Sequence, residues 1–204
     1  MDHDEIRRPK PDRPIHGPLA RRWSPYAFSD RPVSEEDLLA LFEAARWAPS
    51  SYNEQPWSYL VASKSDPEAF AKLLACLNEN NRAWAASAPV LAIGCTRLDF
   101  ARDGKPNAAA EHDLGAASLS LTVEAAARGL HVHQMIGILP EKVREAFHVP
   151  EGVLPKTGLA IGHLGDPSQL PENLRPRDVT PKARKPLSEF VFGGAWGEAS
   201  PLLD

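Results

Sequence analysis

Between Ala108 and Arg128 the chain places Leu114, Ala117, Leu121 and Ala125 in helical register and fills many other positions with alanine, serine or glycine. A helix with one apolar stripe needs one neighbour, whereas a helix that is apolar on nearly every side must be packed all round. Its small side chains also allow backbones to approach closely. No uninterrupted apolar run reaches the roughly 20 residues that span a bilayer, so lipid cannot supply that packing. The segment therefore reads as the central helix of a dense protein core.

Other elements are legible on either side of it. Ser34 and Asp37 form the Ser-x-x-acid start of a helix, with Leu38, Leu41, Phe42, Ala45 and Ala48 at helical spacing and Pro49 as its stop. Trp57 to Ala62 reads as a strand. At the corner between them, Ser50, Ser51, Asn53 and Gln55 set donors and acceptors beside an apolar wall of Tyr52, Pro56 and Trp57, which suits a flat heteroaromatic ligand with polar edges. Ser65-Asp66-Pro67 starts a further helix with Phe70, Leu73, Leu74 and Leu77 on one face, and Asn78, Asn80 and Asn81 read as the loop that ends it. Val90 to Ile93 and His131 to His133 read as strands, Thr96 to Asn107 as a surface loop, Pro140 to Phe147 as a short helix, and Thr157 to Leu164 as a buried strand. After Asp166 the prolines are too frequent for core, and the chain reads as a surface wrap with a late strand at Glu189 to Phe192.

Composition removes several classes of function. A net charge of -4 and a pI near 6.0 argue against a nucleic-acid surface, which needs a basic stripe. Cys76 and Cys95 make neither a disulfide framework nor a paired metal site and read as buried thiols of a reducing compartment. The acidic start Met1-Asp2-His3-Asp4-Glu5 is no secretion signal, so cytoplasm is the default. His112, His131 and His133 lack a carboxylate or cysteine at ligand spacing, and pairing with backbone or carboxylates is their commoner state. No Ser-His-Asp order, Gly-x-Ser-x-Gly or His-Glu-x-x-His is present, and the glycines near 158 and 162 do not build a dinucleotide fingerprint. Arg22 followed by Ser24 is a candidate phosphate grip, because guanidinium binds phosphate oxygens bidentately. Lys182, Arg184 and Lys185 taken alone read as a solvated cluster.

The stretch Ala48-Pro49-Ser50-Ser51-Tyr52-Asn53-Glu54-Gln55-Pro56-Trp57 resembles the Ala-Pro-Ser-x-x-Asn-x-Gln-Pro-Trp signature of the nitroreductase family. Four further pieces lie in that family's order: Arg22-Trp23-Ser24-Pro25-Tyr26-Ala27-Phe28, Asn81 ahead of Trp84, Asp113-Leu114-Gly115 with Gln134-Met135-Ile136-Gly137, and Arg184-Lys185-Pro186-Leu187. The resemblance implies an α+β fold with a central, mostly antiparallel sheet flanked by helices, in an intertwined homodimer whose FMN sites lie at the subunit interface. Charges alternating with Pro9, Pro11, Pro14 and Pro18 make residues 1–18 read as a mobile arm, and the resemblance implies one FMN-binding domain over 19–192, followed by a tail over 193–204. It further implies that Arg22, Trp23, Ser24, Pro49, Ser50, Ser51, Asn53, Asn81, Gln134, Met135, Gly137, Lys182 and Arg184 contact FMN, with a main-chain amide near Gly137 facing the flavin ring. No side chain is required as a catalytic group, since the flavin carries the hydride chemistry. NADH or NADPH would reduce it, leave, and be replaced by a nitroaromatic, a quinone or an activated alkene, with loop 96–107 helping to choose among acceptors. Two departures stand out: Tyr26 where the family has a second basic residue, and Ile136 where it often has glutamate. The alternatives are a specialised member, such as a dehalogenase, a dehydrogenase or a flavin-cleaving enzyme, and an FMN-binding protein without turnover.

Overall fold

Capping chemistry sets the helix starts. In the computed structural model, which describes residues 11–203, α1 spans Gly17–Arg21 and α2 spans Glu35–Arg46. Ser34 Oγ accepts from Asp37 N at 3.0 Å ahead of α2, a cap that contributes about 1 kcal/mol. β1 (Trp57–Ser63) leads to α3 (Pro67–Leu74), capped by Asp66, and α4 (Glu79–Ala85), capped by Asn78. β2 (Val90–Arg97), α5 (Ala110–Ala127), β3 (His131–Met135), α6 (Pro140–Phe147), β4 (Val153–Gly162) and α7 (Arg175–Val179) follow.

The four strands form one antiparallel sheet in the order β1-β2-β4-β3. Strand β2 is covered on both faces, which is why its sequence is a continuous apolar run rather than an alternation. Leu91, Ile93 and Cys95 turn to a core shared with Phe70, Leu73, Trp84 and Val143 of α3, α4 and α6. Val90 and Ala92 turn the other way, to Leu41 and Ala45 of α2 and to Ala117, Leu121 and Ala125 of α5. This is the α+β architecture expected, a sheet with helices on both faces. Strands β1 and β3 are its opposite edges, separated by two strands, or about 14 Å at the usual spacing.

Several local readings change. Asn78 caps α4 and Asn81 sits in its first turn, so the asparagine cluster starts a helix rather than ending one. Helix α3 stops at Leu74, and Leu77 is buried through a bridge to Ile138. Thr96 belongs to β2, its hydroxyl bonded to Ala110 O at 2.9 Å, so the surface loop begins later. Residues 187–192 join no sheet: they form the 3₁₀ turn Leu187–Glu189 and a single bridge from Phe192 to Ala199. Proline at 186 and the reversal at 193–197 leave that segment too short to add a strand. Residues 1–10 of the proposed arm lie outside the described residues.

Candidate functional site

Two sequence-distant cationic segments meet near the β3 edge. Arg22, at the end of α1, is half-buried and donates from Nη1 to Ser24 Oγ at 3.0 Å. Burial, and after it the field of Arg184, pulls the Arg22 guanidinium below its ordinary pKa. Lys182 Nζ lies 5.7 Å from the centre of the Trp23 ring and donates to Arg177 O at 2.7 Å. Arg184 is exposed and bonds only carbonyl oxygens of its own loop, including Ala183 O at 2.9 Å. Arg22, Lys182 and Arg184 thus share one neighbourhood, and among the described residues none of them forms a salt bridge to a carboxylate, an arrangement that calls for an anion. Trp23 is 4% exposed and its Nε1 has no hydrogen-bond partner among the described residues, an orphaned donor inside the same cluster.

The wall behind the cations is aromatic. Tyr26 meets Trp84 edge-on at 5.2 Å and His133 at 4.7 Å, while the Trp84 and His133 rings lie 4.4 Å apart. Tyr26 therefore takes up a packing role where a second basic residue was expected. His133 Nδ1 is 2.8 Å from Pro25 O, a carbonyl that can only accept, so Nδ1 carries a proton and donates it. Burial is the main cause that holds this imidazole below its ordinary pKa. Trp84 Nε1 donates to Asn81 Oδ1 at 3.3 Å, and Asn81 Nδ2 donates to Gly137 O at 3.1 Å. A Cβ at Gly137 would lie 2.4 Å from the amide nitrogens of both Asn78 and Asn81, so glycine is demanded here by these side chains. Met135 is buried beneath, and Gln134 turns toward α5, donating to Ser118 O and Thr122 Oγ1.

The polar corner lies beyond the opposite edge, ahead of β1. Tyr52, Asn53 and Gln55 all have φ between 50° and 56°, left-handed conformations that non-glycine residues rarely adopt and that cluster at functional sites. The turn is held by Gln55 N donating to Ser50 Oγ at 3.0 Å and by Ser51 N donating to Asp113 Oδ2 at 3.0 Å. Asp113 is 2% exposed, a structural carboxylate in the first turn of α5. Pro49 and Asn53 are exposed, with Ser50 and Ser51 partly so. The loop after β2 folds onto this corner: Ala101 N donates to Glu54 Oε1 at 2.7 Å, Phe100 meets Tyr52 edge-on, and the Arg102 guanidinium lies 4.3 Å over the Tyr52 ring.

The comparisons with known proteins bear on this layout. A family model described as the nitroreductase family matches residues 19–163, most of the folded core. The chain belongs to the nitroreductase family. A Stenotrophomonas maltophilia nitroreductase homologue, provisionally named NADH dehydrogenase/NAD(P)H nitroreductase, is 32% identical over 71% of this chain and 81% of its own length. An uncharacterised 15.4 kDa protein of Mycolicibacterium smegmatis is 38% identical over 64% of this chain and 86% of its own. Among solved structures, an oxidoreductase containing FMN superposes with a TM-score of 0.86 at 37% identity, covering 92% of this chain and 95% of that one. A nitroreductase family protein of Clostridium difficile gives 0.66 at 25% identity, covering 85% and 94%.

Within this nitroreductase-family chain the fold gathers Arg22, Trp23, Ser24, Lys182 and Arg184 at one end, and joins Asn81, Met135 and Gly137 to them through Trp84. It leaves Pro49, Ser50, Ser51 and Asn53 at the other edge of the sheet. Sequence reasoning missed Asp178, which is fully buried and bonds the amides of Tyr26 and Ala27. A lone aspartate in a proline-rich wrap carries no local signal of burial.

Proposed function

We propose that this protein is an FMN-dependent oxidoreductase that takes reducing equivalents from NADH or NADPH, passes them to a small acceptor, and works as a homodimer. The observation that carries the reading is the convergence of Arg22, Ser24, Lys182 and Arg184 on one spot beside an aromatic wall. That donor set fits the terminal phosphate of FMN: fixed guanidinium forks and a hydroxyl suit a dianion, and an unpartnered indole N–H lies among them.

Two observations support a second copy. The polar corner leads into β1 and the cationic end borders β3, the opposite edges of the sheet, so the two halves of the expected flavin site adjoin different edges of one subunit. Gly115 lies on the outer face of α5 with nothing of its own chain within 4 Å of a Cβ, beside Leu119, which is 49% exposed. A helical glycine costs about 1 kcal/mol against alanine, and close approach by the same helix of a partner would offset that cost. In the dimer, the corner of one protomer faces the cationic end of the other.

When bound, FMN supplies the redox chemistry, accepting hydride from NADH or NADPH and passing electrons to a nitroaromatic, a quinone or an activated alkene. The chain's residues bind and orient. Arg22, Ser24, Lys182 and Arg184 hold the phosphate, Asn81 holds the Gly137 carbonyl in place, and Ser50, Ser51 and Asn53 offer polar edges to the ring system. Ile136, 69% exposed, leaves the wall next to Gly137 apolar. Loop 98–107, tied to Tyr52 and Glu54, is placed to influence which acceptor enters. Thiol chemistry has no part, because burial pushes Cys95 up to about 11 and raises Cys76 as well.

The purified protein should be yellow, and NADH or NADPH should bleach it without oxygen. A yellow protein that neither nucleotide bleaches would be an FMN-binding protein without turnover. A colourless protein that takes up no added FMN would overturn the reading entirely.

A further inference from the structure

The phosphate grip is built from two segments that repel each other. Residues 22–24 and 182–184 bring three cations together across more than 150 residues of sequence, and the field of Arg184, after burial, disfavours the charge on Arg22. Some contact must oppose that repulsion and fix the register between the segments. Lys182 over Trp23 is too weak and too exposed to do so.

Asp178 has the needed geometry. It lies in the last turn of α7, four residues ahead of Lys182, and is 0% exposed. Its Oδ1 accepts from Tyr26 N at 2.6 Å and from Ala27 N at 3.3 Å, the first two amides available after Ser24 because Pro25 has none. Lys182 Nζ loops back to Arg177 O, so the short run from 177 to 184 is closed on itself and carries Arg184 with it. From the opposite side, His133 bonds Pro25 O. Segment 22–27 is thus clamped between β3 and the C-terminal wrap. A buried carboxylate costs several kcal/mol unless it is hydrogen-bonded, and a neutral side chain could tie the two segments without that cost. What the carboxylate adds is negative charge behind three cations and charge-assisted bonds to the backbone that bears two of the ligands.

We propose that Asp178 is a positioning residue for phosphate binding: it staples the Lys182–Arg184 segment to the Arg22–Ser24 segment, so that both face the same phosphate before the cofactor arrives. The inference rests on reading this cluster as the FMN phosphate site. Because its two amide bonds hold the backbone next to Arg22 and Ser24, its loss should weaken a flavin with a phosphate more than one without.

The test titrates the full-length protein, freed of flavin, with FMN and with riboflavin. In Asp178→Ala the Kd for FMN should rise about tenfold or more, the size of one charge-assisted hydrogen bond, while the riboflavin Kd changes less than about twofold. Asp178→Asn keeps a carbonyl oxygen for the two amides but not the charge, and should recover the FMN affinity in part, to a Kd between those of the alanine variant and the wild type. If the alanine variant does not fold, Asp178→Ser, whose shorter hydroxyl cannot reach both amides, carries the same expectation of unequal losses. Equal weakening of both flavins, unchanged FMN affinity, or an asparagine variant no better than alanine would overturn the proposal. A wild-type protein that binds neither flavin, or both equally, would instead overturn the phosphate site itself.

Discussion

The cationic end and the polar corner reach readiness for a ligand by opposite routes. The cationic end draws on α1, β3 and the C-terminal wrap, and its shape depends on a buried aspartate, a half-buried histidine and the two aromatic rings, Tyr26 and Trp84, packed with it. The corner is seven consecutive residues, largely exposed, held by its own left-handed backbone and by Asp113. A point charge must be met by several cations at once, and cations gather only if distant chain segments are forced together. A flat ring with polar edges can be met by one short run of backbone and side chains. The difference predicts that the first region fails by losing a ligand and the second by losing its conformation.

The largest effect tests the cationic end. Replacing both Arg22 and Arg184 by alanine should weaken FMN retention by about 1–3 kcal/mol for each arginine removed, read by fluorescence titration. Unchanged affinity would remove both from the phosphate site. Next comes the corner: Asp113→Ala should strip Ser51 N of its acceptor and cost roughly 1–3 kcal/mol in urea unfolding. A cost spread equally over both regions would erase the contrast between them. Asn53→Ala should leave the unfolding free energy within about 0.5 kcal/mol, as for an exposed side chain, yet shift the flavin absorbance or potential.

The smallest effect is on pH dependence. Burial holds the folded-state pKa of His133 below its unfolded value near 6.5, so the stability it protects is complete above about pH 6.5 and is lost as pH falls through the folded value. His163 is shifted the same way and adds to the slope. Melting wild type and His133→Gln at about pH 7.5 and about pH 5.5 should give a smaller acid loss in the variant. Identical losses would remove His133 from the clamp.

The two regions were also unequally legible. Ser34, Asp37 and the apolar repeat from Leu38 to Ala48 gave away α2, and the helix–corner–strand order around Asn53 followed directly, because caps, periods and turns act between near neighbours. Asn81 was harder: its helical position depends on Asn78 acting as a cap, and asparagine serves equally well in a loop. The segment expected to form a late strand at 189–192 pairs with no strand of its own subunit, because Pro186 and the reversal at 193–197 leave it a single bridge, Phe192 to Ala199. Asp178 was invisible, since its burial comes from segments that lie far from it in sequence.

By itself, then, the amino-acid order determined α2, α3, α5, α6 and the four strands, the apolar character of α5, the chemistry available at the corner, and the family. Only tertiary structure decided that β1 and β3 are opposite edges, that Arg22 and Arg184 are neighbours, and that the Tyr26 ring packs on Trp84 and His133. The reason is range. Periodicity and capping are energies of adjacent residues and leave a local trace, whereas the meeting of like charges is tolerated only where the rest of the fold holds them together.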